Sequence, residues 1–272
     1  MNDELLHIPE EEYQELIRPY TDAMNNVRMR LEILNKDYRK KNNNYPIHFI
    51  QTRIKKRSSL EKKLMKKDLP VTVEAAADNI RDIAGIRVIC YFEEDVYAVA
   101  DRLKQQQDLI FIRERDYIKN PKDSGYESYH VIYGVPVYHV DGMEYFPVEI
   151  QIRTLAMNFW ATAEHSLRYK YSGNIPEDIQ ERLTNCAGAA FNLDQEMSTI
   201  RGEITNAQRL NEIRSSMTSN ILENIQKLHF VAKLEDMDAI NREFVDVWNS
   251  RDIDQLREFN EKLNVMVEVY RV

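Results

Sequence analysis

The chain has 272 residues, of which 30% are charged and 43% hydrophobic, a composition typical of a globular protein with room for one sizeable core and an appendage. Its formal net charge of −8 argues against a general nucleic-acid binder, and no apolar run is long enough for a membrane span or a signal peptide. The two cysteines, Cys90 and Cys186, suit a reducing compartment, so a cytoplasmic protein without membrane contact is expected.

The first predicted element is a long amphipathic helix over residues 10–41, in which apolar residues recur at steps of three and four. An Asn-Asn-Asn-Tyr-Pro break follows. A second helix is expected to begin at residue 51 or 52 and to carry eight lysines and arginines against one acid between Arg53 and Lys67. The outermost lysines fit a solvated helix face, but the cluster as a whole favours a confined site for a polyanion.

Strands, helices and a loop are then predicted as far as residue 169. The apolar stretch 86–92 predicts a central strand, because its apolar residues fall on both faces. Residues 116–129 predict a loop, and Asp141-Gly142 predicts a hairpin turn. The remaining predicted elements are a helix over 94–107, strands over 109–115, 130–138 and 143–153, and a helix over 154–169 with Thr154 as its N-cap.

Beyond Gly173 the sequence predicts only helices. Apolar seams run through residues 190–204 and 217–228, and two short helices are expected within 238–272. The seams could pack on the chain's own core, but their length favours contacts between subunits. We therefore predict one domain over residues 1–175 and a helical region over 176–272, whose part up to about residue 206 serves oligomerisation.

The segment PVEIQIR, residues 147–153, carries the chemistry that stands out most. In a strand, Glu149, Gln151 and Arg153 share one face and the three apolar residues between them share the other. A carboxylate in line with a guanidinium suits a metal ion with a phosphate chain attached. Taken alone, the segment fits better a half-exposed strand whose polar residues are only solvated, and the residues elsewhere in the chain favour the metal–phosphate site.

Several familiar catalytic motifs are absent from the sequence. It has no glycine-rich phosphate loop, no G-x-S-x-G and no H-E-x-x-H. What remains is two separated carboxylates, Asp82 and Glu149, the cationic cluster, and Tyr126 beside a glycine. Two arginines, Arg53 and Arg87, could enclose a nucleobase, as could the ring of Tyr126, although a turn aromatic packed on a strand is the plainer alternative for Tyr126. These residues favour a Mg²⁺-dependent nucleotidyl or phosphoryl transferase.

Four segments in chain order carry a resemblance to a known family: RIKKRSSLEKK at 53–63, DIAGIRV at 82–88, SGYESYH at 124–130, and VEIQIRTLAMNFWATAEHSLRYKYSG at 148–173. Over residues 15–205 the chain resembles the synthetase domain of RelA/SpoT-type enzymes, above all the small alarmone synthetases. The resemblance implies an α+β, nucleotidyltransferase-like fold in which helices flank a mixed, mostly antiparallel sheet.

The implied reaction is transfer of the β,γ-pyrophosphate of ATP to the 3′-hydroxyl of GTP or GDP, which gives (p)ppGpp and AMP. By resemblance, Asp82 and Glu149 would be catalytic and hold Mg²⁺, with Glu149 as the base. The ATP-binding residues would be Arg53, Lys55, Ser59, Lys63 and Arg87. The residues around the acceptor nucleotide would be Lys122, Tyr126, His130, Gln151 and Arg153, with Tyr126 stacked on guanine.

The sequence departs from the family pattern in two places. Thr52 stands where the family often has glycine, and Lys56-Arg57 replaces a proline–apolar pair. No His-Asp pair occurs, so synthesis without the hydrolase activity of the long bifunctional enzymes is expected. The resemblance also implies a homotetramer and leaves open allosteric activation by (p)ppGpp. It does not extend to the tail after residue 210.

Two other functions remain as alternatives. One is a catalytically inactive regulator that binds nucleotide or RNA on the same fold, for which the basic segment 53–67 is the best support, although RNA binding is not expected. The retained carboxylates Asp82 and Glu149 speak against it. The other is a template-independent nucleotidyltransferase, which would release pyrophosphate and not AMP.

Overall fold

The computed structural model describes residues 7–42, 45–170, 175–230 and 234–270, which divide into two compact units at the junction of Ser198 and Thr199. The helices are α1 Glu10–Asn42, α2 Arg57–Lys66, α3 Val73–Asn79, α4 Glu93–Lys104, α5 Leu155–Lys170, α6 Glu177–His229, α7 Leu234–Ser250 and α8 Ile253–Tyr270. The strands are β1 Ile47–Ile54, β2 Ala84–Cys90, β3 Ile110–Asp116, β4 Tyr129–His139 and β5 Gly142–Thr154. None of the described helices is long and apolar enough to cross a membrane.

The sheet of the first unit has the strand order β1-β2-β5-β4-β3. Every neighbouring pair is antiparallel except β2 and β5, which are parallel. The turn before Gly142, whose φ is +140°, joins β4 to β5 where the hairpin was predicted. This mixed, mostly antiparallel sheet with flanking helices confirms the predicted fold class.

One face of the sheet forms the core together with α1 and α4. Val88 of β2 and Ile150 of β5 are fully buried in one cluster with Leu31 of α1 and Val99 of α4. The apolar stripe of α1 is therefore mostly covered by the chain's own sheet. The opposite face of the sheet carries the polar residues.

The prediction of a helix beginning at residue 51 or 52 was wrong. Residues 47–54 form strand β1, which pairs with β2, and the helix begins only at Arg57. Ile50, Thr52 and Ile54 are partly buried, and the residues between them are exposed. This period-two pattern of a strand was hidden by the lysines and arginines that follow it.

Helix α3 was not predicted either, because its sequence VEAAADN is too short to show an apolar period. The side chain of Thr72 caps its first turn by accepting a 3.2 Å hydrogen bond from the backbone N–H of Ala75. The predicted N-cap of α5 is confirmed, because Oγ1 of Thr154 accepts a 3.1 Å hydrogen bond from the N–H of Met157.

The second unit, residues 199–272, has a core of its own. Ile221 and Leu228 of α6 are buried with Ile240 of α7 and with Phe259 and Leu263 of α8. Two helices were expected in this tail, and both are present. The division between the compact units falls within α6, and the predicted boundary of residues 1–175 and 176–272 stays a prediction.

Candidate active site

The polar face of the sheet is built from two neighbouring rows of residues that cross all five strands. Residues opposite each other in paired strands share a face, so the register alone aligns their side chains. From β1 to β3, one row is Gln51, Arg87, Gln151, His130 and Arg115. The next row is Arg53, Gly85, Glu149, Ile132 and Arg113. Glu149 therefore lies in the middle of a sheet surface that is rich in arginine.

A first cavity, of about 160 Å³, opens between β1, β2 and β5. It is lined by Gln51, Arg53, Lys55, Asp82, Gly85, Ile86, Arg87, Glu149 and Gln151. Both predicted catalytic carboxylates and three of the predicted ATP-binding residues thus meet in one place. Gly85, which has no side chain, leaves the surface between Arg53 and Glu149 uncovered.

Asp82 is held at this cavity by two lysines. The Nζ atoms of Lys55 and Lys63 lie 2.9 and 2.7 Å from Oδ2 of Asp82. Burial alone would raise the pKa of Asp82, but the two ammonium groups together outweigh it and hold the pKa below its usual value. The other oxygen, Oδ1, is buried without a hydrogen-bond partner among the described residues. Asp82 is therefore ionised and has one oxygen left for a ligand.

Arg87 forms the floor of the same cavity. Its pKa is lowered, first by burial and then by the charges of Arg153 and Arg53 nearby. Its Nε atom is buried and has no hydrogen-bond acceptor in the described part of the chain. A buried donor without an acceptor is costly, so Arg87 is well suited to an anion or a base that arrives with the ligand.

A second cavity lies on the other side of Glu149, over β3 and β4. It is lined by Arg113, Glu114, Arg115, Tyr117, Lys122, His130, Ile132 and Glu149. The ammonium group of Lys122 lies 4.8 Å from the ring centres of both Tyr117 and Tyr126. Because Glu149 lines both cavities, a group bound in one would meet a group bound in the other at this carboxylate.

Tyr126 and His130 form the aromatic wall beside the second cavity. The hydroxyl of Tyr126 lies 2.9 Å from Nε2 of His130. Burial, and then the charges of Arg153, Lys122, Arg115 and Arg87, lower the pKa of His130 to about 3. His130 is therefore neutral at pH 7, so its 3.8 Å approach to Glu149 is not an ion pair there.

The loop that carries Tyr126 is shaped by Gly125 and supported by α6. Gly125 has a φ of +79°, which favours glycine, and a Cβ at this position would lie 2.4 Å from Cβ of Ala187. Tyr126 packs on a small cluster that contains Trp160 and Ala187. The indole N–H of Trp160 donates a 2.9 Å hydrogen bond to the backbone oxygen of Leu183 on α6. Helix α6 thus supports the tyrosine ring through Ala187 and through Trp160.

Four predicted site residues line neither cavity: Ser59, Lys63, Tyr126 and Arg153. Tyr126 lies beside the second cavity. Ser59 is half-buried on α2, Lys63 reaches the site only through Asp82, and Arg153 is 4% exposed beneath Tyr126 and Gln151. Eight lining residues were not predicted: Gln51, Gly85, Ile86, Arg113, Glu114, Arg115, Tyr117 and Ile132. The alternation of arginines in β3 could have indicated two of them, whereas Gln51 was hidden by the incorrect helix assignment.

The residues present fit a divalent metal ion held jointly with a substrate. No group of three or more metal-ligating side chains occurs in the described parts of the chain. Mg²⁺, however, commonly binds through one or two carboxylates together with substrate phosphates and water. Asp82, with its unpartnered Oδ1, and Glu149 line one cavity and supply that donor set.

Comparison with known proteins gives consistent matches. Residues 52–174 match the family model described as the region found in RelA/SpoT proteins. GTP pyrophosphokinase YjbM of Bacillus subtilis is 41% identical over 199 residues, which cover 73% of this chain and 93% of that protein.

Solved structures give the same result. The chain resembles a crystal structure of small alarmone synthetase 1 from Bacillus subtilis bound to its product pppGpp, with a TM-score of 0.67 and 41% identity over 72% of this chain and 99% of that one. A structure of the same synthetase bound to AMPCPP is matched with a TM-score of 0.62 and 37% identity, at 72% and 99% coverage.

Proposed function

The chain belongs to the RelA/SpoT family, and we propose that its two cavities hold the two nucleotides from which it makes (p)ppGpp. It is a GTP pyrophosphokinase of the small alarmone synthetase type. The observation that carries the assignment of the cavities is that Glu149 lines both of them. A transfer between two nucleotides needs such a meeting point, whereas a protein that binds one nucleotide needs only one cavity.

ATP is assigned to the first cavity. Arg53 and Arg87 lie on adjacent strands and can enclose the adenine, because guanidinium planes stack on bases. Lys55 and Lys63, which form ion pairs with Asp82, can also contact the phosphates. Ser59 lies one turn before Lys63 on α2 and is proposed to bind the same phosphate chain.

GTP or GDP is assigned to the second cavity. Tyr126 can stack on guanine. Its ring is contacted by the ammonium group of Lys122 and lies edge-to-face with the ring of Tyr117. His130 is neutral and can exchange a hydrogen bond with the nucleotide. Arg113 and Arg115 add positive charge along the cavity, which suits the 5′-phosphates of the acceptor. Gln151, which lines the first cavity together with Glu149, is proposed to contact the acceptor ribose.

The chemical step follows from this arrangement. The 3′-oxygen of the acceptor attacks the β-phosphorus of ATP, its proton passes to the Glu149 carboxylate, and the bond between the β-phosphorus and the α,β-bridging oxygen breaks, so that AMP leaves. The guanidinium and ammonium groups around both cavities stabilise the charge that spreads over the phosphoryl oxygens. A Mg²⁺ ion bound at Asp82 and Glu149 would supply further neutralisation of the phosphates.

We also propose that the protein assembles through α6 into an oligomer, which the family resemblance implies is a homotetramer. Leu193, Met197 and Ile204 of this helix are between 43 and 57% exposed. A row of exposed apolar side chains on one helix is unusual for an isolated chain. The seam of α1 supports assembly less well, because most of it is buried in the chain's own core. Since ATP and GTP are intracellular substrates, a cytoplasmic location remains the expectation.

Nucleotide chromatography tests the proposed function. Purified protein is mixed with ATP, Mg²⁺ and either GTP or GDP, and all products are quantified. AMP and (p)ppGpp in equal amounts are expected. Pyrophosphate in place of AMP would indicate a nucleotidyltransferase, and unchanged nucleotides, also after addition of pppGpp as an activator, would favour the binding-only regulator.

A further inference from the structure

Arg153 differs from every other cation of the site, because it is buried and lines neither cavity. Its side chain lies under Tyr126, with the guanidinium carbon 5.1 Å from the ring centre. Its Nε donates a 3.2 Å hydrogen bond to Oγ of Ser128, whose hydroxyl donates in turn to the backbone oxygen of Ile152. Arg153 therefore lies below the surface on which nucleotides bind.

The remaining hydrogen bonds of Arg153 orient two neighbouring side chains, those of Tyr126 and Gln151. A guanidinium can only donate, so the hydroxyl oxygen of Tyr126 and Oε1 of Gln151, both contacted by Nη2, must accept. With its oxygen held by Arg153, Gln151 turns its NH₂ group to Glu149, where Nε2 lies 2.9 Å from Oε2. One buried group thus orients the ring that faces guanine and the amide that faces the catalytic carboxylate.

Stability alone does not account for a guanidinium in this position. Arg153 has no carboxylate partner among the described residues, and a buried cation without one is costly. Its hydrogen-bond acceptors are the uncharged side chains of Ser128, Tyr126 and Gln151. Gln151 lines the first cavity, and Tyr126 lies beside the second. A costly buried charge that holds two side chains at the nucleotide-binding surface is typical of the supporting layer of a catalytic site.

We propose that Arg153 is a positioning residue, which orients Tyr126 and Gln151 for the acceptor nucleotide and for Glu149 without touching either nucleotide. This inference rests on the proposed function and replaces the sequence-based expectation that Arg153 contacts the acceptor. It separates the consequences of losing Arg153 into two kinds. Through Tyr126 the loss weakens guanine nucleotide binding, and through Gln151 it slows the chemical step.

The first test uses the nucleotide-free protein, so its outcome does not depend on the proposed reaction. The side-chain NH₂ of Gln151 is observed by NMR in protein labelled with ¹⁵N-glutamine. In the wild type we expect one fixed orientation with slow rotation and slow hydrogen exchange. Arg153→Met should make both fast, whereas the exposed Arg102→Met should change neither. An unchanged Gln151 signal in Arg153→Met would overturn the proposal.

The second test is a double-mutant cycle on GTP binding and turnover, with Arg153→Met, Tyr126→Phe and the double variant. Tyr126→Phe keeps the ring but loses the hydroxyl, and should raise the Kd for GTP severalfold with little change in kcat. Arg153→Met should raise the Kd and also lower kcat. Adding Tyr126→Phe to it should cause no further loss of binding. If the increases in Kd of the two single variants multiply in the double variant, Arg153 contacts the nucleotide independently of Tyr126, and the proposal is overturned.

Arg153→Lys keeps the charge, but an ammonium group cannot donate to Ser128, Tyr126 and Gln151 with the geometry of the planar guanidinium. It should therefore resemble Arg153→Met in both tests. Activity close to wild type in Arg153→Lys would reduce the role of Arg153 to its charge and would also contradict the proposal. If the wild type binds no GTP at all, it is the proposed function that fails, while the NMR result on Gln151 still decides the positioning role.

Discussion

Lys63 donates a 2.7 Å hydrogen bond to Oδ2 of Asp82, an oxygen that Lys55 also contacts at 2.9 Å. Two ammonium groups therefore occupy one side of a carboxylate that is expected to hold a metal ion. A divalent cation has to compete with both charges. When ATP binds, its phosphates can take over the lysines and leave Asp82 to the metal ion.

Metal ion and ATP are consequently expected to bind cooperatively. Mn²⁺ binding, followed by electron paramagnetic resonance, should be weak without nucleotide and strengthen about tenfold or more with a non-hydrolysable ATP analogue. Lys63→Met should strengthen Mn²⁺ binding in the absence of nucleotide and raise the KM for ATP. The neighbouring, exposed Lys62→Met serves as the control. Equal Mn²⁺ affinity with and without the analogue would contradict this coupling.

Glu149→Gln should lower kcat by about 10²–10⁴-fold, because a neutral amide cannot accept the proton of the 3′-hydroxyl. The change preserves the size of the side chain, so the melting temperature should stay close to that of the wild type. Glu144→Gln, on the same strand but exposed, is the matched control and should retain full activity. Near wild-type turnover in Glu149→Gln would exclude Glu149 as the base.

Gly125→Ala should damage the acceptor side of the site selectively. The left-handed backbone conformation costs a residue with a Cβ about 1–2 kcal/mol, and the new Cβ would in addition overlap Ala187. The KM for GTP should rise, and the KM for ATP should not. Ala187→Gly in the same chain should restore part of the affinity, since it removes the overlap but not the backbone strain.

Gly188→Ala is the matched glycine control, because a Cβ there meets nothing within 4 Å. In the middle of α6 it should stabilise the protein by about 0.5–1 kcal/mol and leave the KM for GTP unchanged. A similar rise of the KM in both variants would show that the loop is not set by Gly125.

The stability of the protein should depend on pH through Glu127, which follows Tyr126 in the loop. Burial, and then the nearby charges of Asp194 and Glu93, raise the pKa of Glu127 to about 7. A carboxyl group whose pKa is higher in the folded state contributes stability below its unfolded pKa and loses it as the pH rises through the folded value. The melting temperature should therefore fall between pH 5 and about pH 8.

Glu127→Gln should flatten this dependence, because an amide does not ionise. Asp194, whose pKa burial raises to about 6, should account for part of what remains. Glu15→Gln, an exposed change on α1, should leave the pH profile of the melting temperature as in the wild type. A profile for Glu127→Gln that matches the wild type would mean that Glu127 ionises normally.

The helical tail should respond to mutation separately from the catalytic unit. Phe259 is 3% exposed and stacks on Phe244 at 6.2 Å between ring centres. Phe259→Ala should destabilise residues 199–272 by about 3–5 kcal/mol, measured by hydrogen exchange of the amides in α7 and α8. Alarmone synthesis should change little. A loss of activity as large as that of Glu149→Gln would show that the tail is required for catalysis.

Local patterns in the sequence were sufficient for much of the fold and for part of the site. The alternation in 147–153 correctly predicted the polar face of β5, and the loop around Tyr126 was recognised by its turn residues. Strand β1 was missed because the charges of residues 53–67 were more conspicuous than the alternation of Ile50, Thr52 and Ile54. A pattern of charge describes what a segment binds and does not fix its backbone conformation.

The rest of the site could not be predicted, because it depends on register. That Arg113 and Arg115 line the second cavity follows from their pairing with β4, and pairing is a long-range property. The burial of Arg153 could not be predicted either. The alternation places Arg153 on the same face as Glu149, but it does not show how deeply each side chain on that face is buried. The depth of Arg153 is set by Tyr126 and Gln151, which cover it.

The parallel pairing of β2 with β5 has a consequence for how activity arises as the chain folds. Strands β1 and β2 are closer to each other in sequence than β2 and β5 are, and they can form most of the adenine-binding surface by pairing with each other. Glu149 pairs with Gly85 across a stretch of chain that includes β3 and β4, and such long-range contacts form slowly. During refolding from denaturant, adenine nucleotide binding should thus return before catalysis, so the molecule passes through a stage at which it can bind ATP without being able to use it.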